Sequence, residues 1–475
     1  MDKNKELAKN TAIITVGKIC TQFMSFFLMP LYTAVLSTEE YGIVDLVVTY
    51  TSLFLPVLLF QVDHALFRFL IDIRKDESSK KRVISTCMMF AIFQVIVSAV
   101  LFGIIQFFIA AEYKWYLFYN ILASIFANMM LQSARGFGDN VTFAFGSFLS
   151  AASQIAGNLV FLLVFDMGIY GMLYATILSH VFTALFVFFK EKIYKYISVK
   201  NADKQTLKEI LKYSVPLVPN ALSWWVLNAS DRTIVMVFIG TAANGLLSVG
   251  HKFSSVYITF YNIFNLSWSE SASLHMNDPD RDEFFSGVIS NMFKLFVCAG
   301  IGITACLPFL FPIMINEKFS EAYGVLPVFL LGSMLNIVVG LFSVIYVALK
   351  KTKEIAKTSI YAAVINIAVH LALVNFIGLY AAAVSTAVAF GLMALYRYFD
   401  LKKYIIIKFP KKWIFILAAV FGITCYFYYF GNPLTQFAAL VMVAVVSVIA
   451  NRQLIADGAK IVKNVIKKIA KKRES

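Results

Sequence analysis

The chain has 475 residues, of which 60% are hydrophobic and 15% are charged, and its formal net charge is +15. Soluble domains are typically about 45–50% apolar and about 25% charged, so this chain lacks the polar surface that a folded protein of its length needs in water. The composition predicts an integral membrane protein. It excludes a cytosolic enzyme, a secreted disulfide-rich domain and, despite the positive charge, a nucleic-acid-binding module.

Fourteen apolar segments are long enough to cross a bilayer as helices, for which about 20 residues suffice. The segments are continuously apolar and do not alternate in stretches of about ten residues, which excludes a membrane β-barrel. In chain order they cover residues 11–36, 43–70, 83–110, 115–134, 141–165, 172–189, 214–239, 246–270, 286–312, 325–349, 358–375, 380–396, 413–430 and 435–451.

Lysines and arginines cluster on one side of these predicted spans. If both termini are cytoplasmic, 35 of the 42 fall in inner segments, whereas the outer connections contain only Lys114 and Lys318. Because cytoplasmic loops of membrane proteins are enriched in basic residues, this pattern predicts a multi-pass protein of the cell membrane with both termini in the cytoplasm.

An internal repeat relates the two halves of the chain. Residues 36–43 align with 239–246 at an offset of 203, and residues 168–171 align with 378–381 at an offset of 210. Both pairs lie on predicted outer hairpins of the same rank, which predicts two pseudo-symmetric six-helix lobes facing each other across a central cleft.

The repeat also predicts how the chain is divided. The expected parts are an N-terminal lobe at 1–189, a cytoplasmic linker at 190–213, a C-terminal lobe at 214–396, two additional transmembrane helices within 397–451 and a basic cytoplasmic tail at 452–475. The linker contains seven lysines and an amphipathic run, which predicts that it lies on the anionic inner surface of the membrane.

Four predicted spans carry polar residues along one helix face. These rows contain Lys18 on the first span, Asp45 on the second, Asp231 on the seventh and Lys252 on the eighth. Ionisable side chains inside a bilayer are costly and usually face a cavity or a partner. Since the first and second spans correspond to the seventh and eighth in the repeat, the polar faces predict the lining of the cleft.

Basic groups outnumber acidic groups along this predicted cleft, so we expect it to attract an anion. Lysine and arginine bind phosphate or pyrophosphate well in a low-dielectric cavity, and arginine can donate two parallel hydrogen bonds. Lys18, Arg232 and Lys252 are the candidates for binding, with Asp231 orienting Arg232. The alternatives are that the lysines extend to the membrane surface and that Asp231 forms a purely structural ion pair.

No sequence motif indicates catalysis. The chain has no glycine-rich nucleotide loop, no hydrolase serine motif and no zinc-protease helix, and its five cysteines lie inside predicted spans without metal-ligand spacing. We therefore expect no enzymatic activity, no cofactor, no metal and no nucleic-acid partner.

Four short motifs lie near the ends of predicted spans. They are Leu-Ser-Thr-Glu-Glu-Tyr-Gly-Ile at 36–43, Asp-His-Ala-Leu-Phe-Arg-Phe at 63–69, Gln-Ser-Ala-Arg-Gly at 132–136 and Asn-Ala-Ser-Asp-Arg at 228–232. In these motifs the chain resembles the polysaccharide transporters of the multidrug/oligosaccharidyl-lipid/polysaccharide (MOP) superfamily, the Wzx-type oligosaccharide flippases. By motif position the resemblance implies substrate contacts for Arg68, Arg135, Asp231 and Arg232, whereas Lys18 and Lys252 rest on the helix-face argument alone.

The resemblance implies a V-shaped transporter with a cationic central cavity. Such a protein flips a polyprenyl-pyrophosphate-linked oligosaccharide from the inner to the outer leaflet by alternating access, for surface polysaccharide biosynthesis. Its partners are then the lipid-linked oligosaccharide and membrane lipids, with a polysaccharide polymerase or glycosyltransferases as candidate protein partners.

Three other functions are compatible with the same sequence. One is a cation-coupled multidrug exporter, and another is a membrane scaffold for glycan-assembly enzymes that transports nothing. The third is a lipid II-type flippase of peptidoglycan precursors, because the fourteen predicted spans also resemble those proteins. The sequence specifies neither the glycan nor the source of energy.

Overall fold

The computed structural model of the chain describes residues 26–108 and 110–456, and all regular structure within these ranges is helical. The chain divides into two compact units, residues 1–249 and 250–475. Lys18 and residues 457–475 of the predicted basic tail lie outside the described residues.

The first unit contains the following helices. They are α1 (Met29–Val35), α2 (Thr38–Leu59), α3 (Val62–Asp72), α4 (Glu77–Ile105), α5 (Lys114–Phe137), α6 (Asn140–Leu159), α7 (Gly168–Lys190), α8 (Lys204–Ser214), α9 (Val218–Phe238) and the first turns of α10 (Thr241–Leu274). A π-helical turn at Val160–Val164 continues α6, and 3-10 turns at Ile193–Lys195 and Val199–Asn201 precede α8.

The second unit begins inside α10. Its further helices are α11 (Arg281–Met314), α12 (Ala322–Ala348), α13 (Thr352–Ile377), α14 (Tyr380–Leu401), α15 (Lys411–Phe430) and α16 (Pro433–Ala450). Helices α15 and α16, which the sequence places outside the repeat, pack against α11. At one end, Tyr428 stacks on Tyr323 with ring centroids 4.1 Å apart, and its hydroxyl donates to the carbonyl of Tyr323 over 2.7 Å.

Eleven helices of the described ranges are long and apolar enough to cross a membrane. The protein is therefore a multi-pass membrane protein. Helices α9 and α10, on the seventh and eighth predicted spans, are not among these eleven; they are less apolar because they carry the polar rows noted above. The total of fourteen spans stays a prediction, since most of the first span lies outside the described residues.

The second predicted span, 43–70, is wrong as a single helix. A capping box begins α2, with the Ser37 hydroxyl accepting the Glu40 backbone N–H and the Glu40 carboxylate accepting the Ser37 N–H. Pro56 removes a hydrogen bond near the end of α2, and Phe60 and Gln61 then adopt positive φ angles of 50° and 57°. The chain continues as α3, an 11-residue helix too short to span a bilayer.

The predicted linker packs on protein. Ile210 of α8 is fully buried in the core of the first unit. The Ser85 hydroxyl of α4 donates to the Tyr196 carbonyl over 2.7 Å, and the Thr86 hydroxyl accepts the Asp203 backbone N–H over 3.0 Å. The apolar face of the linker is thus covered by α3 and α4. Its position on the inner membrane surface stays a prediction.

Candidate functional site

An ion pair joins α2 to α9. The Nε atom of Arg232 donates a hydrogen bond to Oδ2 of Asp45 over 2.7 Å. The Nη1 atom of Arg232 donates to the carbonyl of Asn228 over 3.0 Å and lies 3.8 Å from Oδ1 of Asp231. Asp231 Oδ1 also accepts the backbone N–H of Arg232 over 2.9 Å. We call Asp45, Asp231 and Arg232 the acid–arginine triad.

Two further hydrogen bonds hold the helices of the triad together. The Tyr50 hydroxyl of α2 donates to Oγ1 of Thr233 on α9 over 3.2 Å. The Trp225 indole N–H of α9 donates to the carbonyl of Thr49 over 3.1 Å. Asp45 and Thr49 are one turn apart on α2, so the contacts follow one side of that helix. The position of the guanidinium is therefore fixed by the packing of α9 on α2.

The guanidinium of Arg232 donates hydrogen bonds from Nε and Nη1 and is partly exposed. About one seventh of its side chain (14%) is exposed, against 18% for Asp45 and 6% for Asp231. Among the described residues no group accepts a hydrogen bond from Nη2 of Arg232. Because Nη2 carries two N–H groups, the arginine can still donate to an anionic oxygen.

Two glycines allow α2 and α10 to cross next to the triad. Gly42 and Gly245 are equivalent in the repeat at the offset of 203. A Cβ atom on Gly42 would overlap the Thr241 carbonyl oxygen, and one on Gly245 would overlap the Thr38 carbonyl oxygen. The Asn244 side-chain amide donates to the Gly42 carbonyl over 2.9 Å. Only glycine permits two backbones to approach so closely, so this crossing fixes the start of α2 one turn before the triad.

Arg68 and Arg135 lie beyond the opposite end of α2. Arg68, on α3, forms an exposed ion pair with Asp72 at 2.7 Å. Arg135, in the last turn of α5, places its guanidinium carbon 4.2 Å from the ring centroid of Phe67, at cation–π distance. No hydrogen bond or ion pair within the described ranges joins either arginine to Arg232. The structure therefore brings together Asp231 and Arg232 of the predicted site, but not Arg68 and Arg135.

The two lysines of the predicted site stay predictions. Lys252 lies on α10 in the second unit, where it is half-buried and its backbone carbonyl accepts the Ser255 hydroxyl over 2.9 Å. Lys18 precedes the described residues.

Sequence reasoning places Asp45 on a polar helix face but misses its pairing with Arg232. A signal for the pairing exists, because an arginine inside a bilayer needs an acceptor and the second and seventh spans were both expected at the cleft. The carboxylate nearest in predicted depth on the second span is Asp45.

A second buried arginine was also missed. Arg397 was assigned to a cytoplasmic segment, yet on α14 it is only 1% exposed. Its Nε and Nη2 atoms donate to Oγ1 of Thr358 over 3.0 and 2.7 Å, and Nη1 donates to the Ser343 hydroxyl and, over 3.4 Å, to the Val339 carbonyl. No carboxylate of the described chain pairs with it. Arg397 therefore ties α12, α13 and α14 together through neutral acceptors.

The family can be assigned by comparison with known proteins. A family model described as "Polysaccharide biosynthesis protein" matches residues 7–269, which is more than half of the chain. The chain belongs to this family. The resemblance to the polysaccharide transporters of the MOP superfamily is confirmed. No curated protein matches the chain in sequence.

Solved structures show the same fold. The chain is similar to the lipid II flippase MurJ in an inward closed conformation, with 18% identity, a TM-score of 0.68, and coverage of 94% of this chain and 100% of that chain. It is also similar to an inward-facing MATE multidrug resistance transporter of the MOP superfamily, with 14% identity, a TM-score of 0.64 and coverage of 81% and 96%. An outward-facing MATE conformation gives 14% identity, a TM-score of 0.58 and coverage of 83% and 97%. The protein thus has the fold of MOP-superfamily transporters.

Proposed function

We propose that the protein flips a polyprenyl-pyrophosphate-linked oligosaccharide from the cytoplasmic to the outer leaflet of the cell membrane for surface polysaccharide biosynthesis, by alternating access through a cationic cavity. Membership of the polysaccharide biosynthesis family is the observation that carries this proposal. The eleven membrane-length helices and the MOP-type fold support it.

Arg232 is the proposed contact for the pyrophosphate. Asp45 holds the Nε edge of the guanidinium, and Asp231 lies beside Nη1, so Nη2 is presented in a defined direction. An arginine that is already oriented loses little conformational entropy when an anion binds. The pairing with Asp45 also weakens the net attraction, which suits a transporter that must release its substrate.

The other predicted site residues have proposed roles along the same path. Arg68 and Arg135 lie at the basic, proposed cytoplasmic end of the first unit, where they would attract the anionic headgroup before it reaches Arg232. Lys18 and Lys252 are proposed as further cations for the headgroup. Both termini are proposed to be cytoplasmic. A polymerase or glycosyltransferases are proposed protein partners, and no enzymatic step or cofactor is part of the cycle.

Reconstitution with a labelled substrate tests the proposal. The purified protein is incorporated into liposomes with a fluorescent polyprenyl-pyrophosphate oligosaccharide, and flipping is followed as loss of protection from an impermeant quencher. We expect Arg232→Ala to abolish flipping and Arg232→Lys to keep part of it, because lysine preserves the charge but not the guanidinium geometry. Lys208→Ala, which removes an exposed lysine of α8, is the matched control and should flip normally.

A complementation experiment in cells tests the same proposal. In a strain that lacks the native gene, the Lys252→Ala, Arg232→Ala double variant should give no surface glycan at normal expression. Normal glycan in that strain would reject the site assignment. Dye or drug efflux without any flipping of the glycan lipid would instead identify a multidrug exporter, and flipping of lipid II alone would identify a peptidoglycan precursor flippase. A glycan phenotype restored by a variant that flips nothing would identify a scaffold.

A further inference from the structure

Helix α4 is packed firmly at only one end. Its first half contributes a continuous buried run, from Val83 to Met88, to the core of the first unit, and Ala91 is buried one turn later. In the second half only Gln94 and Ser98 are buried, while the apolar side chains beyond them are largely exposed. The second half of α4 therefore packs less closely on its neighbours than the first half, although Phe102 still stacks on Phe118 of α5.

A cleft of about 750 Å³ fills the space that this leaves beside α2 and α5. Its walls are formed mainly by aliphatic and aromatic side chains, among them Leu46 and Leu53 of α2, Leu101 of α4, and Leu117 and Phe118 of α5. Water has too few polar partners in such a space, and an empty cavity forfeits the dispersion contacts of its lining. A cleft of this size and lining is suited to a hydrocarbon chain.

Apolar residues of the cleft wall also reach the surface of the unit, on helices that the sequence predicts to cross the bilayer. Three lining residues are also exposed on the surface of the unit: Phe54 at 39%, Leu101 at 47% and Ile105 at 46%. The Phe102 ring stacks on Phe118, with centroids 4.4 Å apart and an interplanar angle of 6°, and closes another side. A chain can therefore enter from lipid without crossing a polar barrier.

Charged residues line the cleft at one end only. Glu39, Glu112 and Lys114 lie at the end where α2 and α5 begin, which the charge distribution places at the outer membrane surface. Glu112 accepts one hydrogen bond from the Tyr170 hydroxyl (2.8 Å), and Glu39 accepts one from the Thr241 hydroxyl (3.1 Å). Since a carboxylate has about four acceptor positions, both can bind a further donor.

We propose that this cleft is a binding site for a phospholipid whose headgroup carries a primary amine, with one acyl chain in the cleft and the ammonium group at Glu39 and Glu112. The acyl chain gains little by leaving other lipid, because a bilayer is as apolar as the cleft. Selection therefore comes from the headgroup, whose ammonium matches the two carboxylates and whose phosphate lies within the field of Lys114. A polyprenyl pyrophosphate would place more negative charge beside the same carboxylates and is disfavoured.

The site has a mechanical consequence for the triad. Tyr50 lines the cleft and its hydroxyl also donates to Thr233, the residue next to Arg232. The wall of the cleft is α2, the helix that carries Asp45. A lipid chain in the cleft supports α2 on the side that faces α4 and thereby stabilises the Asp45–Arg232 pair. The proposal does not depend on which substrate the protein transports.

Photo-crosslinking tests the site. The full-length protein in nanodiscs is irradiated with phosphatidylethanolamine that carries a diazirine halfway along one acyl chain, and the adducts are mapped by mass spectrometry. We expect adducts on residues 98–105 of α4 and 117–121 of α5. Ser98→Trp, which places an indole in the cleft, should reduce these adducts severalfold, whereas Val100→Trp on the exposed face of the same helix should leave them unchanged.

Competition separates the lipid classes, first on the unmodified protein and then on a variant without the two carboxylates. Unlabelled phosphatidylethanolamine should displace the probe, while phosphatidylglycerol and polyprenyl phosphate should not, and the Glu39→Gln, Glu112→Gln double variant should lose this preference. Equal displacement by phosphatidylglycerol, preferential displacement by polyprenyl phosphate, or undiminished adducts in folded Ser98→Trp would each overturn the proposal. Because flipping is measured separately, loss of the lipid site and loss of the transport function are distinguishable.

Discussion

At the scale of single residues, Arg232 and Arg397 are two buried arginines with different acceptors. Arg232 is held by carboxylates, and no described group accepts a hydrogen bond from its Nη2, whereas Arg397 donates to hydroxyl and carbonyl groups of two other helices, α12 and α13. A guanidinium whose donors are all engaged is structural, and one with an open edge can bind a ligand. This difference is the reason for assigning substrate contact to Arg232 and not to Arg397.

A double-mutant cycle checks the Asp45–Arg232 pair. Asp45→Ala, Arg232→Ala and the double variant should give a coupling free energy of about 1–3 kcal/mol, because each single change leaves a poorly solvated charged partner behind. The measurement is the free energy of unfolding in mixed micelles. The exposed pair Arg68 and Asp72 is the control, and its cycle should show much weaker coupling since solvent screens it. Equal coupling in both cycles would contradict the burial of the triad.

The Arg397 cluster should respond asymmetrically to substitution. Thr358→Val removes an acceptor from two guanidinium nitrogens and should destabilise the protein by about 1–3 kcal/mol. Arg397→Met should cost less, because the Thr358 and Ser343 hydroxyls already donate to the carbonyls of Glu354 and Val339 and remain satisfied. The measurement is the free energy of unfolding of the two variants. A larger loss of stability in Arg397→Met than in Thr358→Val would contradict the prediction.

At the scale of helices, the crossing of α2 and α10 depends on two glycines. Gly42 and Gly245 occupy equivalent positions in the repeat. The crossing is therefore a contact between the two copies of one repeated segment, residues 36–43 and 239–246. The capping box at Ser37 sets where α2 begins, and the absence of a side chain at Gly42 lets Thr241 approach. The crossing positions Asp45 on α2, so the packing of two helices determines where the Asp45–Arg232 ion pair forms.

Gly42→Ala should separate this crossing, because the new methyl group would overlap the Thr241 carbonyl, a backbone atom that cannot rotate away. A cysteine introduced as Thr241→Cys in a background without native cysteines should then react faster with a maleimide. Gly103→Ala is the control, since its methyl group would meet no atom within 4 Å. An unchanged reaction rate in the Gly42→Ala protein would contradict the close approach.

At the scale of the whole molecule, the distribution of charge predicts the orientation of the protein in the membrane. Basic residues of the linker and of the loops around α3 lie at one end of the first unit, and Glu39 and Glu112 lie at the other. This asymmetry underlies both the proposed direction of transport and the proposed placement of the lipid cleft at the outer surface.

Cysteine labelling from each side of the membrane checks the orientation. In the cysteine-free background, Lys318→Cys should react with an impermeant maleimide added outside intact cells, and Lys75→Cys should react only after the cells are opened. The two variants are controls for each other, because labelling of one from outside shows that the reagent works and lack of labelling of the other shows that the membrane is intact. Labelling of Lys75→Cys in intact cells would reverse the orientation.

Composition and periodicity were sufficient for the membrane class and most helices, because hydrophobic length and charge bias act along the chain and need no partner. The family was predicted from the resemblance of four short motifs. They were also sufficient to single out Asp231 and Arg232. The break of the second span at Phe60 and Gln61 was not visible, since one proline is compatible with both a bent and an interrupted helix.

The sequence could not establish which distant helices touch, because that depends on which faces meet, although the predicted depth of Asp45 and Arg232 was a signal for their pairing. The pairing of Asp45 with Arg232, the burial of Arg397 among hydroxyls and the contact of Gly42 with Gly245 join residues from 39 to 203 positions apart. The cleft beside α4 follows from how one long helix packs along its length, which local hydrophobicity does not encode because lipid and protein interior are equally apolar.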